Sequence, residues 1–103
     1  MKDTITEKAH EVTLDRLVKR LEQQYPNDTI IKNLEYGPAH QRVGEMDVYR
    51  ASRSGIGYIY EVKGTKHNAI RKATKQINRA RRYFDNANLK GIYVHAKYGV
   101  KRV

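Results

Sequence analysis

Apolar residues near the start of the chain recur at helical spacing. The positions i, i+3, i+4 and i+7 are taken by Leu14, Leu17, Val18 and Leu21. This spacing places them on one face of a helix, which predicts a buried stripe. The predicted helix runs from about Thr4 to Gln24, because the residue before Pro26 is disfavoured in the helical region.

Three segments after this helix have the composition and alternation of strands. They are residues 29–37, 45–51 and 57–65, and between them lie the loop 37–44 and the turn 52–57. β-branched and aromatic residues are frequent in all three, and Gly or Pro bounds them. In the third, Ile59, Glu61 and Lys63 share one face, because side chains alternate along a strand.

A second amphipathic helix is predicted over residues 67–84. Its apolar stripe consists of Ile70, Ala73, Ile77, Ala80 and Phe84. A separate basic face consists of Arg71, Lys72, Lys75, Arg79 and Arg82. Residues 89–99 then form a fourth strand before a basic tail, which makes the order αβββαβ. We therefore expect an α/β fold with a mixed central sheet flanked by helices, in which the third and fourth strands are parallel.

Charge is distributed unevenly along the chain. Residues 1–61 hold nine Lys and Arg against ten Asp and Glu, whereas residues 62–103 hold twelve against one. A net charge of +10 concentrated in this way favours a nucleic-acid partner over a solubilising surface or an anionic membrane. With 103 residues we expect one domain over 1–103. The chain has no cysteine, no apolar run of membrane-spanning length and no signal-peptide pattern, so an intracellular, cytoplasmic location is expected.

The turn between the second and third strands predicts a cluster of charged residues. If the turn centres on Ser54, residue i lies opposite residue 108−i, so Asp47 faces Glu61 and Glu45 faces Lys63. Opposed carboxylates repel each other, and a divalent cation such as Mg²⁺ would offset that repulsion. A surface ladder of ion pairs is the alternative at this point.

The first helix places further polar residues near the same sheet. Extending its apolar stripe towards the N-terminus leads to Glu11, His10 and Glu7. Glu11 is either a carboxylate that points towards the sheet edge or an acidic residue favoured by the helix dipole. For Glu7 the dipole explanation is favoured, and His10 is expected to be a polar residue that flanks the stripe.

The motifs "GEMDVY" and "YIYEVK", in this order of elements, resemble the core of the PD-(D/E)xK nuclease superfamily. The resemblance covers roughly residues 7–95 and extends to small stand-alone enzymes, namely Holliday junction resolvases and viral nucleases. It implies that Asp47, Glu61 and the Val62 carbonyl bind Mg²⁺ or Mn²⁺, and that Lys63 activates or positions the attacking water. It also implies an acidic residue on the first helix, matched by Glu11, and a glutamine on the second, matched by Gln76.

The function expected from these patterns is metal-dependent hydrolysis of DNA, by endonuclease or exonuclease action. Junctions and flaps are candidate substrates, which would connect the protein with DNA repair or recombination, and a viral nuclease would act in the host cytoplasm. The residues expected to contact the DNA backbone are Lys66, Arg71, Lys72, Lys75, Arg79 and Arg82. Cutting a junction needs two sites, so a homodimer through the C-terminal strand is expected. The alternative is a basic nucleic-acid-binding module without catalysis.

Overall fold

A computed structural model describes residues 4–38, 41–63, 69–86, 88–95 and 99–103. Lys66 and His67 lie outside these ranges. The elements are α1 (Thr4–Gln24), β1 (Thr29–Tyr36), β2 (Gly44–Ala51), β3 (Gly57–Lys63), α2 (Ala69–Tyr83), β4 (Lys90–His95) and β5 (Gly99–Arg102). Within these ranges, neither helix has the length and apolarity needed to cross a membrane.

The strands form one mixed sheet in the order β1-β2-β3-β4-β5. β3 and β4 are parallel, and the other neighbouring pairs are antiparallel. The predicted α/β class and the parallel pairing across α2 are therefore confirmed. The connection through α2 is what allows the parallel pairing, because a hairpin can join only antiparallel strands.

The C-terminal part of the chain differs from the prediction. Residues 89–99 do not form one strand, because β4 ends at His95 and β5 returns antiparallel from Gly99. Gly99 has φ +87°, a conformation that a residue without Cβ adopts at little cost. β5 lies at one edge of the sheet, and all four of its residues are exposed. The predicted dimer through this strand stays a prediction.

The two helices cover opposite faces of the sheet. On one face, Leu14, Leu17 and Leu21 of α1 pack in a buried cluster that includes Val48, Tyr60, Val62 and Val94. On the other face, Ile77 and Ala80 of α2 pack in a cluster with Tyr36, Met46, Ile59 and Leu89. The central strands β2 and β3 contribute to both clusters, so polar side chains on them enter protein rather than water.

The predicted apolar stripe of α2 is confirmed in its centre and wrong at its end. Ala73, Ile77 and Ala80 are fully buried, but Phe84 is 46% exposed. The helix ends at Tyr83, and Asp85 follows with a left-handed φ of 49°. The Phe84 N–H still bonds the Ala80 carbonyl at 3.0 Å, so the chain leaves the helical path at Asp85 and Phe84 lies at the exposed end of the stripe.

The buried Arg50 connects the turn after α1 to the sheet. Its Nη1 donates to Asp28 Oδ2 at 2.6 Å, and its Nε donates to the Tyr60 hydroxyl at 3.0 Å. The guanidinium carbon lies 3.8 Å from the ring centre of Tyr25 and 3.9 Å from that of Tyr58. Both partners of the ion pair are shielded, with side chains 6% and 9% exposed. The hydrogen bonds and the two rings together replace the water that the charge loses.

Candidate functional site

The hairpin register predicted from the sequence is confirmed where the strands pair. Val48 pairs with Tyr60 and Ala51 with Gly57, so paired residue numbers sum to 108 as expected. Counted from the turn, Val48 is the last paired residue of β2, and Asp47 is the next residue along the strand. There the Asp47 Oδ2 accepts a hydrogen bond from the Val62 N–H at 2.8 Å. The Asp47 side chain thus takes the place of a backbone carbonyl as the acceptor for the Val62 N–H, at the position where Asp47 was predicted to face Glu61.

The alternation of side chains in β2 also breaks at Asp47. Met46 packs in the cluster under α2, whereas Val48 packs in the cluster under α1. In a regular strand, the side chains of residues two apart lie on the same face. Because Met46 and Val48 face opposite sides, the regular alternation is interrupted between them. In β1, Asn33 lies between the pairs that flank Asp47 and has a left-handed φ of 54°. The irregularity crosses both strands at the site.

The carboxylate of Glu61 is the most unusual group in the described part of the molecule. The residue is 1% exposed, and among the described residues its side-chain oxygens have no hydrogen-bond partner other than Asp47. Burial, followed by the negative charge of Asp47, raises the pKa of Glu61 to about 9. A buried carboxyl group without partners is costly, and a cation beside it would remove that cost.

Asp47 is held differently from its neighbour. Its side chain is 16% exposed, and Oδ2 lies 3.4 Å from His10 Nε2. Burial works against the charged form, but the hydrogen bonds from His10 and the Val62 N–H outweigh it and lower the pKa of Asp47. The same hydrogen bond raises the pKa of His10. Asp47 is therefore a carboxylate at neutral pH, next to a protonatable imidazole.

Lys63 and Gln76, two of the predicted site residues, contact each other. The ammonium of Lys63 donates to Gln76 Oε1 at 3.0 Å, across the space between β3 and α2. Both side chains are half-buried. Lys63 follows Glu61 on the same strand face, so its charge faces the same region as the two carboxylates and also lowers the pKa of Asp47.

The structure does not bring Glu11 into this cluster. Glu11 is exposed, and His10 is the residue of α1 that contacts Asp47. At about 100° per residue, His10 lies about 30° from the centre of the stripe formed by Leu14, Leu17, Val18 and Leu21, and Glu11 about 70°. Among the described residues no three His, Asp or Glu side chains gather as a metal-binding group. The predicted ligands that do lie together are Asp47, Glu61 and the Val62 backbone.

The basic residues of α2 lie on the surface as predicted. Those expected to bind nucleic acid and described by the structure are all exposed: Arg71, Lys72, Lys75, Arg79 and Arg82. Lys66 belongs to the segment 64–68, which lies outside the described residues. Arg81 has a structural role instead, because its guanidinium donates to the carbonyls of Leu89 and Val103.

A cleft adjoins Gln76 and was not anticipated from the sequence. It encloses about 270 Å³ between α2 and the β1–β2 hairpin. Its polar lining comes from Arg42, Glu45, Gln76 and Arg79. Glu45 was expected to face Lys63, but its carboxylate accepts a hydrogen bond from Arg42 at 3.3 Å. Sequence spacing gave no signal for this cleft, because Arg42 lies in a loop before β2.

No protein-family model, curated protein or solved structure matches this chain. The function is therefore inferred from the geometry of the site. Two close acidic groups, one of them buried with no described partner other than its neighbour, are suited to a hard divalent cation. A lysine beside them and a basic helix next to the cleft are suited to a phosphate-containing substrate.

Proposed function

We propose that this protein is a metal-dependent deoxyribonuclease that hydrolyses phosphodiester bonds. The observation that carries the proposal is the buried Glu61 carboxyl group, which among the described residues has no hydrogen-bond partner other than the ionised Asp47 beside it. We further propose that the αβββαβ part of the fold is a restriction-endonuclease-like core of the PD-(D/E)xK type. The element order and the positions of Asp47, Glu61 and Lys63 support this assignment.

The residues that would hold Mg²⁺ or Mn²⁺ are Asp47, Glu61 and the carbonyl of Val62. When bound, the cation would polarise the scissile phosphate and favour deprotonation of the attacking water. The Val62 N–H and His10 hold the Asp47 carboxylate in place and keep it ionised. Glu11 is exposed, so in this proposal it acts at most through water.

Lys63 supplies the positive charge at the reacting group. Its ammonium is held by Gln76 Oε1, which leaves two N–H donors for a phosphate oxygen or for the attacking water. Negative charge grows on the phosphate oxygens during hydrolysis, and a fixed ammonium stabilises it more than mobile water does. Gln76 is thus a positioning residue, because it acts through Lys63.

The basic face of α2 would hold the phosphates that flank the cleaved bond. Exposed Lys and Arg residues bind phosphates independently of sequence and release counterions. We expect Lys75→Ala and Arg79→Ala each to weaken DNA binding and to reduce the slope of log K against log salt by about 0.7–0.9. Fluorescence anisotropy across a salt series measures this slope. Arg53→Ala is the matched control, because Arg53 is exposed at the opposite end of the hairpin.

The proposal is tested by incubating linear, flapped and four-way-junction DNA with Mg²⁺, Mn²⁺ or EDTA. We expect cleavage with either metal and none with EDTA. Asp47→Asn removes one ligand charge with little change in shape, and we expect it to lower the cleavage rate at least about 100-fold. Lys63→Met keeps the side-chain length without the charge, and we expect a loss of about 100-fold.

Two outcomes would contradict the proposal. Equal cleavage by wild type, Asp47→Asn and Lys63→Met would exclude this site as the catalytic centre. Tight, salt-dependent DNA binding without cleavage of any substrate would favour the binding module instead. Thermal unfolding of each variant establishes that a loss of cleavage is not a loss of fold.

A further inference from the structure

An aromatic cluster lies beside the cleft, at the C-terminal end of α2. The buried ring of Tyr36 contacts Tyr83 and Phe84, with ring centres 5.1 Å and 5.3 Å apart. Tyr83 and Phe84 meet edge to face at 4.9 Å. Tyr36 is 8% exposed, whereas Tyr83 and Phe84 are 42% and 46% exposed. Two large rings are thus held in fixed positions and still present surface to solvent.

The cluster is continuous with the proposed active site. Gln76 bonds Lys63, and Arg79 and Tyr83 follow Gln76 at i+3 and i+7 on the same flank of α2. The cleft is lined by Gln76 and Arg79 and by Tyr36, the ring on which Tyr83 packs. A ligand chain that leaves Lys63 along this flank therefore meets the cleft first and the exposed rings next.

The charges around the cluster favour a polyanion with aromatic groups. Arg79 and Arg82 are exposed on the last turns of α2, and Arg42, which donates to Glu35 and Glu45, lines the cleft opposite. Glu45 also lines the cleft, and its carboxylate disfavours a phosphate there but accepts hydrogen bonds from base amino groups. A nucleotide chain meets both conditions, with its bases towards the cleft and rings and its phosphates towards the arginines.

We propose that this surface binds an unpaired segment of the DNA substrate, whose bases stack on Tyr83 and Phe84. Stacking on exposed rings beside basic side chains is how proteins bind single strands without sequence preference. Within a duplex both faces of a base are covered by its neighbours, so the rings select unpaired nucleotides. The inference rests on the proposed nuclease function and narrows its substrate to DNA with a single-stranded segment next to the cleaved bond.

A second copy of the chain is a poorer occupant of this surface. Each copy carries a net charge of +10, and the exposed arginines of α2 would face each other. A stable interface buries about 800 Å² on each partner, which two half-exposed rings do not approach. Single-stranded DNA removes the charge repulsion and needs only the ring faces.

The test measures binding by fluorescence anisotropy in EDTA, so that it does not depend on cleavage. The probes are a single strand of about 15 nucleotides, a hairpin duplex of the same length and the matching RNA strand. We expect Tyr83→Leu and Phe84→Leu each to weaken single-stranded DNA binding about tenfold and to leave duplex binding unchanged. Tyr83→Phe and Phe84→Tyr keep the rings and should bind as wild type. Ile56→Ala, at the exposed β2–β3 turn, is the apolar control.

Equal losses on single strand and duplex, or no loss on either, would overturn the inference. Tighter binding of the RNA strand than of DNA would overturn the assignment to DNA. A wild-type dimer that Tyr83→Leu dissociates in a mass measurement would make the patch a contact between copies and overturn the inference too. If no metal supports cleavage but the selective loss is found, the nuclease proposal fails and the stacking surface stands. If metal-dependent cleavage is found without the selective loss, the nuclease proposal stands and the stacking surface is excluded.

Discussion

Glu61→Gln should stabilise the metal-free protein and at the same time abolish cleavage. The amide has nearly the shape of the carboxyl group but does not ionise, so it removes the cost of holding a buried acid protonated above its ordinary pKa. It also removes a proposed ligand of the cation, and we expect the cleavage rate to fall at least about 100-fold, since even residues that only orient ligands cost 10–100-fold. Opposite effects on stability and on activity are typical of a residue kept for function.

The stabilisation should depend on pH in a defined direction. Because the pKa of Glu61 is raised to about 9 from 4.5 on folding, the folded state binds more protons than the unfolded state between these values. The metal-free wild type therefore loses stability as pH rises through this window, by at most about 1.4 kcal/mol per pH unit from this group. His10 contributes in the same direction above pH 6.5, because its pKa is also raised.

Urea unfolding of wild type and Glu61→Gln in EDTA, at several pH values from 5 to 9, separates the two groups. His10 is common to both proteins, so the difference in unfolding free energy reports Glu61 and should grow with pH. Added Mg²⁺ should stabilise the wild type at high pH and leave Glu61→Gln nearly unchanged. A difference that is constant across the pH range would contradict the uncompensated burial of Glu61.

Arg50→Met should destabilise the fold by about 3–5 kcal/mol, the cost of leaving one partner of a buried ion pair without the other. Asp28 would lose its 2.6 Å partner while remaining 9% exposed, and Tyr25 and Tyr58 would lose the charge between their rings. For a domain of this size the loss is a large fraction of the total stability. Urea unfolding at pH 7 measures it.

Three further variants identify the cause of that loss. Arg50→Lys keeps the charge without the planar fork, so it should recover only part of the stability. Asp28→Asn in the Arg50→Met background removes the unpaired charge and should recover part of it as well. Arg53→Met changes an exposed arginine on the same hairpin and should stay within about 0.5 kcal/mol of wild type. If Arg50→Met is as mild as Arg53→Met, the buried pair does not hold the turn.

Local patterns were sufficient to predict the elements up to α2, and the hairpin register where β2 and β3 pair. The helix α1, the central residues of α2 and the strands β1 to β3 follow from periodicity and from Pro26 and Gly residues, which act within a few residues of chain. The register of β2 and β3 follows from the short turn at Ser54, because a tight turn leaves few pairings that keep one face buried. The neighbourhood of Asp47, Glu61 and Lys63 was therefore predictable from the sequence.

The contacts that make this neighbourhood unusual depend on how distant elements pack. His10 rather than Glu11 reaches Asp47 because the leucines of α1 set the rotation of that helix on the sheet. The break in alternation at Asp47 coincides with a left-handed residue, Asn33, in another strand. Contacts of this kind leave no pattern in the sequence near either residue, since each residue alone is compatible with a regular helix or strand.

The cleft and the aromatic cluster could not be predicted from the sequence for the same reason. Tyr36 and Tyr83 are far apart in the chain, and nothing near either residue indicates that their rings meet. Periodicity placed Phe84 in the core, but the end of α2 left it exposed beside them. Short-range chemistry along the chain thus specified the charged strand and the basic helix. Long-range packing buried Glu61 beside Asp47 and brought exposed rings next to the cleft.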